Sequence, residues 1–396
     1  MYPLENRVQE YAWGSRTAIA ELLGRPTPSP NPQAELWLGA HPSAPSRAFE
    51  GGAWRSLLEL IARAPKEELG ERVVSKFGKT LPFLFKVLAA ETPLSIQAHP
   101  DREQARAGFA AEEGAGLAFD APRRNYRDPN HKPELLYALG RFDMLSGFRR
   151  AADTARLFRA LGVSALAERA TALETAPGAL RSLASFLYAL DAAERSALVV
   201  SVVDASRRHV DARGEFAREC GWAVRLAELY PGDVGVVVAL LLNLIVLEEG
   251  QAVYLSAGHL HAYLGGVGLE IMANSDNVIR GGLTPKHVDV AELLRVVTFA
   301  EGPVELVVPR DRGPERIYET PASEFCLSRI AIGSSEFRAA DRRGAEILLC
   351  TEGEVTISSG ASLTLSKGAS AFVPAKDGAY DVRGRGTLFR ATVGVV

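Results

Sequence analysis

The sequence has few cysteines and no long apolar run. Among 396 residues there are three cysteines, Cys220, Cys326 and Cys350, and they form no CxxC pair. This spacing excludes a disulfide scaffold and a thiolate metal cluster, and it is typical of a reducing compartment. The longest apolar run, Val234 to Leu247, has 14 residues and is shorter than the roughly 18 residues of a membrane helix. It predicts buried core, part helix and part strand. The N-terminus lacks a signal-peptide pattern, so we expect a cytoplasmic protein.

An excess of one charge sign is also missing. The 45 Lys and Arg residues nearly balance the 48 Asp and Glu residues, so the formal net charge is −3. Such a chain has no overall field that would attract nucleic acid or an anionic membrane. We therefore expect neither partner, and any anion site must be built from local cations. Nothing in the sequence demands an oligomer, and we expect a monomer.

Composition divides the chain into three regions. Residues 150–230 are rich in Ala, Leu, Arg and Glu at helical spacing, which predicts a helical domain. Residues 1–149 and 231–303 contain short segments punctuated by Gly and Pro, which predict an antiparallel β core with accessory helices. Residues 304–396 alternate apolar and polar side chains, as a small sandwich or barrel does. This last region holds no histidine, so we expect its role to be structural.

Three segments carry side chains that could bind a metal. Gln97 and His99 are two residues apart, so both lie on one face if the segment is a strand. His259 and His261 share a face for the same reason, and spacing alone does not choose between them. Glu134, next to a proline, offers a carboxylate. Two nitrogen and two oxygen donors suit Zn²⁺ and leave room for water or a substrate oxygen.

A polar, Gly-rich segment follows the second pair of histidines. Residues 270–287 read EIMANSDNVIRGGLTPKH and place Arg280 beside two glycines and Lys286 after a Thr-Pro pair. Glycines let the backbone approach a bound anion closely, so two cations beside them predict an anion or phosphate site. Taken alone, the segment is equally consistent with a surface loop that carries ordinary charges.

Together, these motifs resemble those of the type I mannose-6-phosphate isomerases, also called phosphomannose isomerases. The resemblance begins at YAWGS, continues through ELWLGAHP, PLSIQAHPD and NYRDPNHKPEL, and ends with AGHLHAYL and EIMANSDNVIRGGLTPKHVD. It implies a zinc-dependent interconversion of mannose 6-phosphate and fructose 6-phosphate by proton transfer through an enediolate. It also implies a mainly β chain of cupin-type jelly-roll barrels: a catalytic core with an inserted helical domain, followed by a cupin-like C-terminal domain.

The resemblance also implies a ligand set and a phosphorylated hexose as substrate. One Zn²⁺ per chain would be held by Gln97, His99, Glu134 and His261, which leaves His259 in a supporting role. In the chemistry that this implies, the metal stabilises the negative oxygen of the enediolate as a Lewis acid.

Further residues in the matching motifs are expected to act on the substrate. The resemblance implies an active-site lysine at Lys132 and an arginine at Arg280. Candidates for proton transfer are Lys132, Glu270, His131 and a zinc-bound hydroxide; we favour Lys132 as the base and consider His131 for ring opening. Arg280 and Lys286 are expected to bind the phosphate. The other expected pocket residues are Lys86, Ser95, Trp13 and Tyr263.

Two other functions use the same kinds of residue. An iron-dependent cupin oxygenase also binds its metal through histidines and a carboxylate. Gln97 in place of a third nitrogen, and the cations around Arg280, disfavour it. A non-catalytic sugar-binding cupin would keep the fold without the reaction. The full ligand set together with Lys132 and Arg280 disfavours that alternative, because a binding module has no need for all of them.

Overall fold

A computed structural model describes residues 1–333 and 336–395, which form antiparallel sheets flanked by helices. The elements of the first 149 residues are, in chain order, β1 (Tyr2–Glu5), β2 (Arg7–Gln9), α1 (Ala18–Leu22), β3 (Glu35–Leu38), β4 (Arg47–Glu50), β5 (Ala53–Ser56), α2 (Leu57–Arg63), α3 (Pro65–Leu69), α4 (Glu71–Phe77), β6 (Phe83–Ala90), β7 (Ile96–Ala98), α5 (Arg102–Gly114), β8 (Glu134–Ala138) and β9 (Phe142–Phe148).

The middle of the chain is first helical and then returns to strands. Its elements are α6 (Ala151–Leu161), α7 (Ser164–Thr175), α8 (Ala179–Ala189), α9 (Ala192–Asp211), α10 (Ala217–Leu229), α11 (Gly235–Ala239), β10 (Leu242–Leu247), β11 (Ala252–Leu255), β12 (His261–Ala273), β13 (Ile279–Gly282) and α12 (Val290–Val296). The apolar run from Val234 to Leu247 is helix in its first part and strand in its second, which confirms that prediction.

The C-terminal region is almost entirely β structure. Its elements are β14 (Arg310–Arg312), β15 (Glu315–Tyr318), β16 (Cys326–Ile332), β17 (Phe337–Ala339), β18 (Glu346–Ser359), β19 (Ala361–Ser366), β20 (Ser370–Val373), a 3₁₀ turn (Ala375–Asp377) and β21 (Tyr380–Thr392). The chain is therefore mainly β with a helical insertion, as the sequence predicts. Within the described ranges, no helix is both long and apolar enough to cross a membrane.

Strand β12 is the centre of the first sheet because its 13 residues pair with several neighbours. It is antiparallel to β6, β7, β8 and β9. The register sets Glu270 opposite Lys86, and Lys86 is in turn opposite Trp37 of β3. It also sets His261 opposite Gln97. Because alternate residues of a strand face the same side, this register gathers polar side chains inside the sheet.

The helical insertion packs on the strands that carry Gln97 and Arg280. Ile96 and Ala98 of β7 and Ile279 of β13 share one core with Leu157 and Leu183 of the helices. The outward side chains of these short strands are thus covered by helices, while Gln97, between Ile96 and Ala98, points the other way. The insertion therefore packs against the face of these strands that is opposite Gln97.

The central strands of the C-terminal sheet bury side chains on both faces; they are β16, β18, β20 and β21. On one face, Ile347 and Phe389 share a core with Phe85 and Tyr137 of the first sheet. On the other face, residues such as Leu388 fill the interior of a second barrel. Strand β1 pairs with β20 and β4, so the sheet also includes residues 2–5 and 47–56. This pairing crosses the predicted division at residue 304, since it depends on long-range contacts that composition does not reveal.

Candidate metal centre and active site

His99, Glu134 and His261 converge inside the first sheet. All three are buried, and one ligand atom from each lies within 4.8 Å of the others. Nε2 of His99 is 3.3 Å from Oε1 of Glu134, and Nε2 of His261 is 3.4 Å from Oε2 of the same carboxylate. The pairing of β12 with β7 and β8 brings these three residues together. Gln97 adjoins them, with its amide nitrogen 3.4 Å from Nε2 of His261.

Backbone carbonyls set the orientation of both imidazoles. Nδ1 of His99 donates to the carbonyl of Asn277 at 2.8 Å, and Nδ1 of His261 donates to the carbonyl of His259 at 2.9 Å. Because a carbonyl only accepts, the proton lies on Nδ1 and each Nε2 presents a lone pair to Glu134. Burial, followed by the charge of Lys132, lowers the pKa of His99 to about 4, so this ring is neutral at neutral pH.

The atoms that face one another in this cluster are all acceptors. In the part of the chain that the structure describes, Nε2 of His99 and Oε2 of Glu134 are buried without a hydrogen-bond partner. Leaving a buried acceptor unsatisfied costs about 1–3 kcal/mol. A cation between the lone pairs removes that cost, and two imidazoles with a carboxylate are suitable ligands for Zn²⁺. The residues present therefore fit a metal.

His259 lies outside this cluster. It precedes β12, and its Nε2 forms a hydrogen bond with Oγ of Ser146 at 2.9 Å. Burial lowers its pKa to about 4. The expectation that His259 and His261 share a strand face is wrong, because the strand begins at His261. The geometry thus separates the two histidines, which spacing alone did not.

Lys132 contacts the metal cluster directly. Its Nζ is 2.9 Å from Oε1 of Glu134, and its side chain is only 10% exposed. Burial raises the pKa of Glu134, but the positive charge of Lys132 outweighs burial and holds this pKa well below its usual value. Glu134 is therefore an anion even though it is buried.

A second buried network lies beside the metal cluster. Nζ of Lys86 is 2.9 Å from Oε2 of Glu270 and 3.5 Å from Oε1 of Glu35. The hydroxyl of Tyr263 donates to the other oxygen of Glu270 at 2.8 Å. Burial lowers the pKa of Lys86, but the two carboxylates outweigh it and raise the pKa above its ordinary value. The ring of Tyr263 is 6.0 Å from that of His261, which joins the two networks.

Arg280 and Lys286 belong to a group of cations. Burial and the nearby charge of Arg127 lower the pKa of Arg280. Burial, Arg280 and Arg127 together lower the pKa of Lys286. Mutual repulsion of this kind marks a place where an anion would be stabilised. Sequence reasoning missed Arg127, although it lies within the NYRDPNHKPEL motif.

The C-terminal region contributes Glu324 to the surroundings of His131. Glu324, from the segment between β15 and β16, lies with Oε1 at 2.9 Å from Nε2 of His131. Arg102 contacts the same carboxylate. Burial raises the pKa of Glu324, but the bond to His131 and the positive charges lower it to about 2. No sequence motif indicated Glu324, because 193 residues separate it from His131.

Asn277 and Asp276 hold the loop before β8 against the site. The side chain of Asn277 is fully buried and accepts from the backbone N–H of Arg127 at 2.7 Å. It donates to the carbonyls of Asp128 and Asn130 at 2.7 and 2.8 Å. The backbone N–H of Asp276 donates to the carboxylate of Asp128 at 2.8 Å, and its own carboxylate lies 3.4 Å from Nε2 of the buried His41. The sequence marked this segment as polar but gave no reason to select these residues.

The remaining predicted residues lie at the edge of the site. Trp13 stacks on Tyr11, with ring centroids 5.8 Å apart. Trp13 also packs against the apolar cluster that contains Tyr263, whose hydroxyl belongs to the Lys86 network. Burial, followed by the charge of Glu35, raises the pKa of Tyr11. Ser95 is half-buried immediately before β7. Across the described ranges, its hydroxyl makes no hydrogen bond to another residue of the site, and its role in the pocket stays a prediction.

Comparisons with known proteins agree with one another. The family Phosphomannose isomerase type I, catalytic domain, matches residues 1–151, and the family Mannose-6-phosphate isomerase, cupin domain, matches residues 316–393. The chain is 41% identical to the mannose-6-phosphate isomerase of Escherichia coli (strain K12), over 98% of this chain and 99% of that one. It is 32% identical to the mannose-6-phosphate isomerase of Homo sapiens, over 95% and 94% of the two chains.

Solved structures give the same result. A mutant phosphomannose isomerase from Salmonella typhimurium is similar with a TM-score of 0.92 and 39% identity, covering 100% of both chains. A zinc-bound mannose 6-phosphate isomerase is similar with a TM-score of 0.91 and 39% identity, covering 100% of this chain and 99% of the other. At this identity and coverage, the likeness extends over both barrels and the helical insertion.

Proposed function

This chain belongs to the type I phosphomannose isomerase family, and from that premise we propose that its buried site interconverts mannose 6-phosphate and fructose 6-phosphate. The protein is an aldose–ketose isomerase. The observation that carries the proposal is the buried set His99, Glu134 and His261, which lies between the Lys132 ammonium and the Lys86–Glu270 network. Isomerisation of a phosphorylated sugar needs a metal, a group that transfers protons and cations that bind the phosphate. This site has residues suited to each of these tasks.

We propose Zn²⁺ as the metal, since a similar solved structure is zinc-bound. His99, Glu134 and His261 would hold it, with Gln97 as the fourth ligand. Bound there, the metal would supply Lewis-acid stabilisation for negative charge on a substrate oxygen. The chain itself orients two of the ligands without the metal, because the carbonyls of Asn277 and His259 accept hydrogen bonds from the imidazoles of His99 and His261.

Isomerisation moves a proton between C1 and C2 of the sugar, so the site needs a group that can exchange protons. Lys132 is the residue we propose, because its Nζ lies at the metal donors and, as a neutral amine, would accept the proton from one carbon and return it to the other. Glu270 is less available, since Lys86 occupies one of its oxygens and Tyr263 the other. We propose that Glu270 positions Lys86, whose ammonium donates to substrate oxygens.

The ring of the sugar must open before the proton moves. We propose His131 for this step, with Glu324 holding its imidazole in place. We further propose that Arg280, Lys286 and Arg127 receive the phosphate, which carries roughly two negative charges at neutral pH. A phosphate fixed away from the reacting carbons positions them for proton transfer.

Four further proposals concern the whole protein. We propose that it acts as a monomer, in the cytoplasm, without nucleic acid or membrane partners. We also propose the division into a core of residues 1–149 and 231–303, a helical domain of residues 150–230, and a C-terminal domain of residues 304–396, to which β1, β4 and β5 add strands.

The test is conversion of mannose 6-phosphate by the purified chain before and after chelation, followed by addition of Zn²⁺. We expect activity to be lost on chelation and restored by zinc, and Glu134→Gln to abolish the restoration. Absence of turnover in fully zinc-loaded protein would overturn the isomerase proposal in favour of a sugar-binding protein. Turnover that survives complete metal removal would retain the reaction but contradict the metal's role.

A further inference from the structure

The C-terminal barrel contains a polar cavity that the isomerase site does not use. The cavity has a volume of about 240 Å³. It is lined by side chains of the C-terminal region, among them Arg310, Arg343, Ser328, Glu346 and Arg390. The sequence predicted a purely structural role for this region because it lacks histidine. The cavity instead uses arginine, which recognises anions rather than metals.

The strand register explains why these residues meet. Arg310 is opposite Ile317, Ile317 is opposite Ser328, and Ser328 is opposite Arg390. Their sequence neighbours on the other face, including Leu327, pack against the catalytic barrel. Since adjacent residues of a strand point to opposite faces, the row from Arg310 to Arg390 faces the interior of the C-terminal barrel.

Burying charge in this row has no evident benefit for folding. Glu315 and Glu346 are each 1% exposed and Arg390 is 8% exposed. Each buried ion costs several kcal/mol before pairing, and apolar side chains often stabilise such a site equally well. The same barrel does use apolar residues next to this row, for example Ile330 and Leu388. Arg390 pairs with Glu315 and Glu346, and Arg342 also contacts Glu346, so these charges are balanced within the protein; a ligand would explain the polar atoms that the pairs leave without partners.

Two of the buried groups are unsatisfied. Within residues 1–333 and 336–395, neither Oγ of Ser328 nor Nε of Arg390 has a hydrogen-bond partner. Both residues line the cavity. An unsatisfied buried polar group costs about 1–3 kcal/mol, and more when it is charged. A bound oxyanion would accept hydrogen bonds from both groups.

The mouth of the cavity has an excess of positive charge. Arg310 and Arg343 both contact Oε1 of Glu319, at 2.8 and 3.2 Å, and Nε of Arg310 also donates to Oε2 of the same carboxylate at 3.4 Å. The third arginine at the mouth, Arg312, pairs with Asp341 at 2.6 Å. Two guanidinium groups that share one carboxylate keep free N–H donors for a second anion.

We propose that this cavity is a second anion site, which binds a small phosphate-type oxyanion through Arg310, Arg343, Ser328 and Arg390. Its volume is below the roughly 300–1,000 Å³ of pockets that enclose drug-sized ligands, so inorganic phosphate or a small phosphate ester suits it and a nucleotide does not. The site lies in the C-terminal barrel, whereas the isomerase cluster lies in the first sheet.

The test measures binding of inorganic phosphate to the zinc-loaded full chain by calorimetry. An Arg280→Ala background removes a cation of the active-site phosphate group, so that the second site dominates the signal. We expect phosphate binding to persist in this background, and Ser328→Val or Arg343→Ala to weaken it at least tenfold. Arg338→Ala is the matched control, because Arg338 is an exposed arginine of the same barrel that pairs with Asp381 outside the cavity.

Two outcomes would overturn the second site. One is loss of all phosphate binding in the Arg280→Ala protein. The other is binding that neither Ser328→Val nor Arg343→Ala reduces more than the Arg338→Ala control does. If Ser328→Val disturbs folding, Arg343→Ala decides alone, since Arg343 is 30% exposed at the mouth and is not part of the core.

Discussion

At the scale of single residues, the site depends on side chains that sequence motifs did not select. Asn277 is the clearest example, because its carbonyl orients His99 while its side chain binds four backbone groups of residues 127–130. One fully buried amide thus connects a metal donor to the loop that carries Arg127. Partners that orient metal ligands commonly matter almost as much as the ligands themselves.

We predict that Asn277→Ala weakens zinc affinity about tenfold or more, because the loop and the backbone that orients His99 lose their shared anchor. Competition with a chromophoric chelator measures the affinity without relying on activity. Asn274→Ala is the control, since the side chain of Asn274 makes a long hydrogen bond, of 3.4 Å, to the carbonyl of Leu81. Equal zinc affinity in both variants would contradict the role of Asn277.

Arg280 provides the second prediction at this scale. Arg280→Ala should lower kcat/KM at least tenfold, equivalent to about 1.4 kcal/mol of transition-state stabilisation. The reason is that a guanidinium offers paired donors to phosphate, which a neighbouring lysine cannot replace. Steady-state kinetics with mannose 6-phosphate measure the effect. Wild-type kinetics in this variant would remove Arg280 from the substrate site.

At the scale of elements, regions outside the first sheet hold the site in shape. The segment between β15 and β16 supplies Glu324 to His131. The helical insertion supplies Tyr188 of α8, whose hydroxyl donates to the carbonyl of Gly281 at 2.6 Å. Gly281 lies at an irregularity in the pairing of β13 with β7, directly after Arg280. Such irregularities often re-aim a neighbouring side chain, so α8 helps to set the direction of Arg280.

We predict that Glu324→Gln lowers kcat by about threefold to tenfold, because the neutral amide replaces only part of a charge-assisted hydrogen bond to His131 that is worth roughly 1.5–3 kcal/mol. KM and zinc content should stay close to wild type, since Glu324 does not contact the metal cluster or the cation group. Glu336→Gln is the control, as Glu336 pairs with Arg383 on the surface of the C-terminal region. A variant whose kcat equals that of the control would show that Glu324 is not needed for the reaction.

For the helical insertion we predict that Tyr188→Phe raises KM about fivefold with little change in kcat. The lost hydrogen bond is worth about 1 kcal/mol, and it acts on the backbone beside Arg280 and not on the reacting carbons. Tyr230→Phe is a matched control, because Tyr230 also bonds from the helical region to a backbone carbonyl, that of Pro93, at 2.9 Å. If both variants have the same KM, α8 does not influence the phosphate group.

At the scale of the whole molecule, local patterns were predictable and distant pairings were not. The hairpin of β18 and β19 follows from the alternation around Val355 and Leu363, and the structure pairs those segments as expected. The pairing of Tyr2 with Phe372 has no such local signature. The same difference applies to the site: Gln97, His99 and His261 lie in recognisable motifs, whereas the contact of Glu324 with His131 exists only after the chain has folded.

The shared core of the two barrels has a consequence for unfolding. Tyr137 packs edge-on against Phe389 and Tyr318, with ring centroids 4.9 and 5.2 Å apart, so catalytic and C-terminal sheets bury the same apolar surface. Neither sheet can expose this face without a large loss of hydrophobic stabilisation. We therefore expect both barrels to unfold together, and a ligand that binds one of them to stabilise the other.

Zinc tests this coupling, since a ligand that binds only the folded state stabilises it by about 2.7 kcal/mol at a concentration one hundred times its Kd. Calorimetry of the full chain should show one transition for both barrels, which zinc moves to higher temperature. Glu134→Gln should keep the single transition and lose most of the zinc-dependent shift, because it removes the anionic donor between His99 and His261. Two separate transitions, of which zinc moves only one, would mean that the interface between the barrels is too weak to couple the metal centre to the C-terminal region.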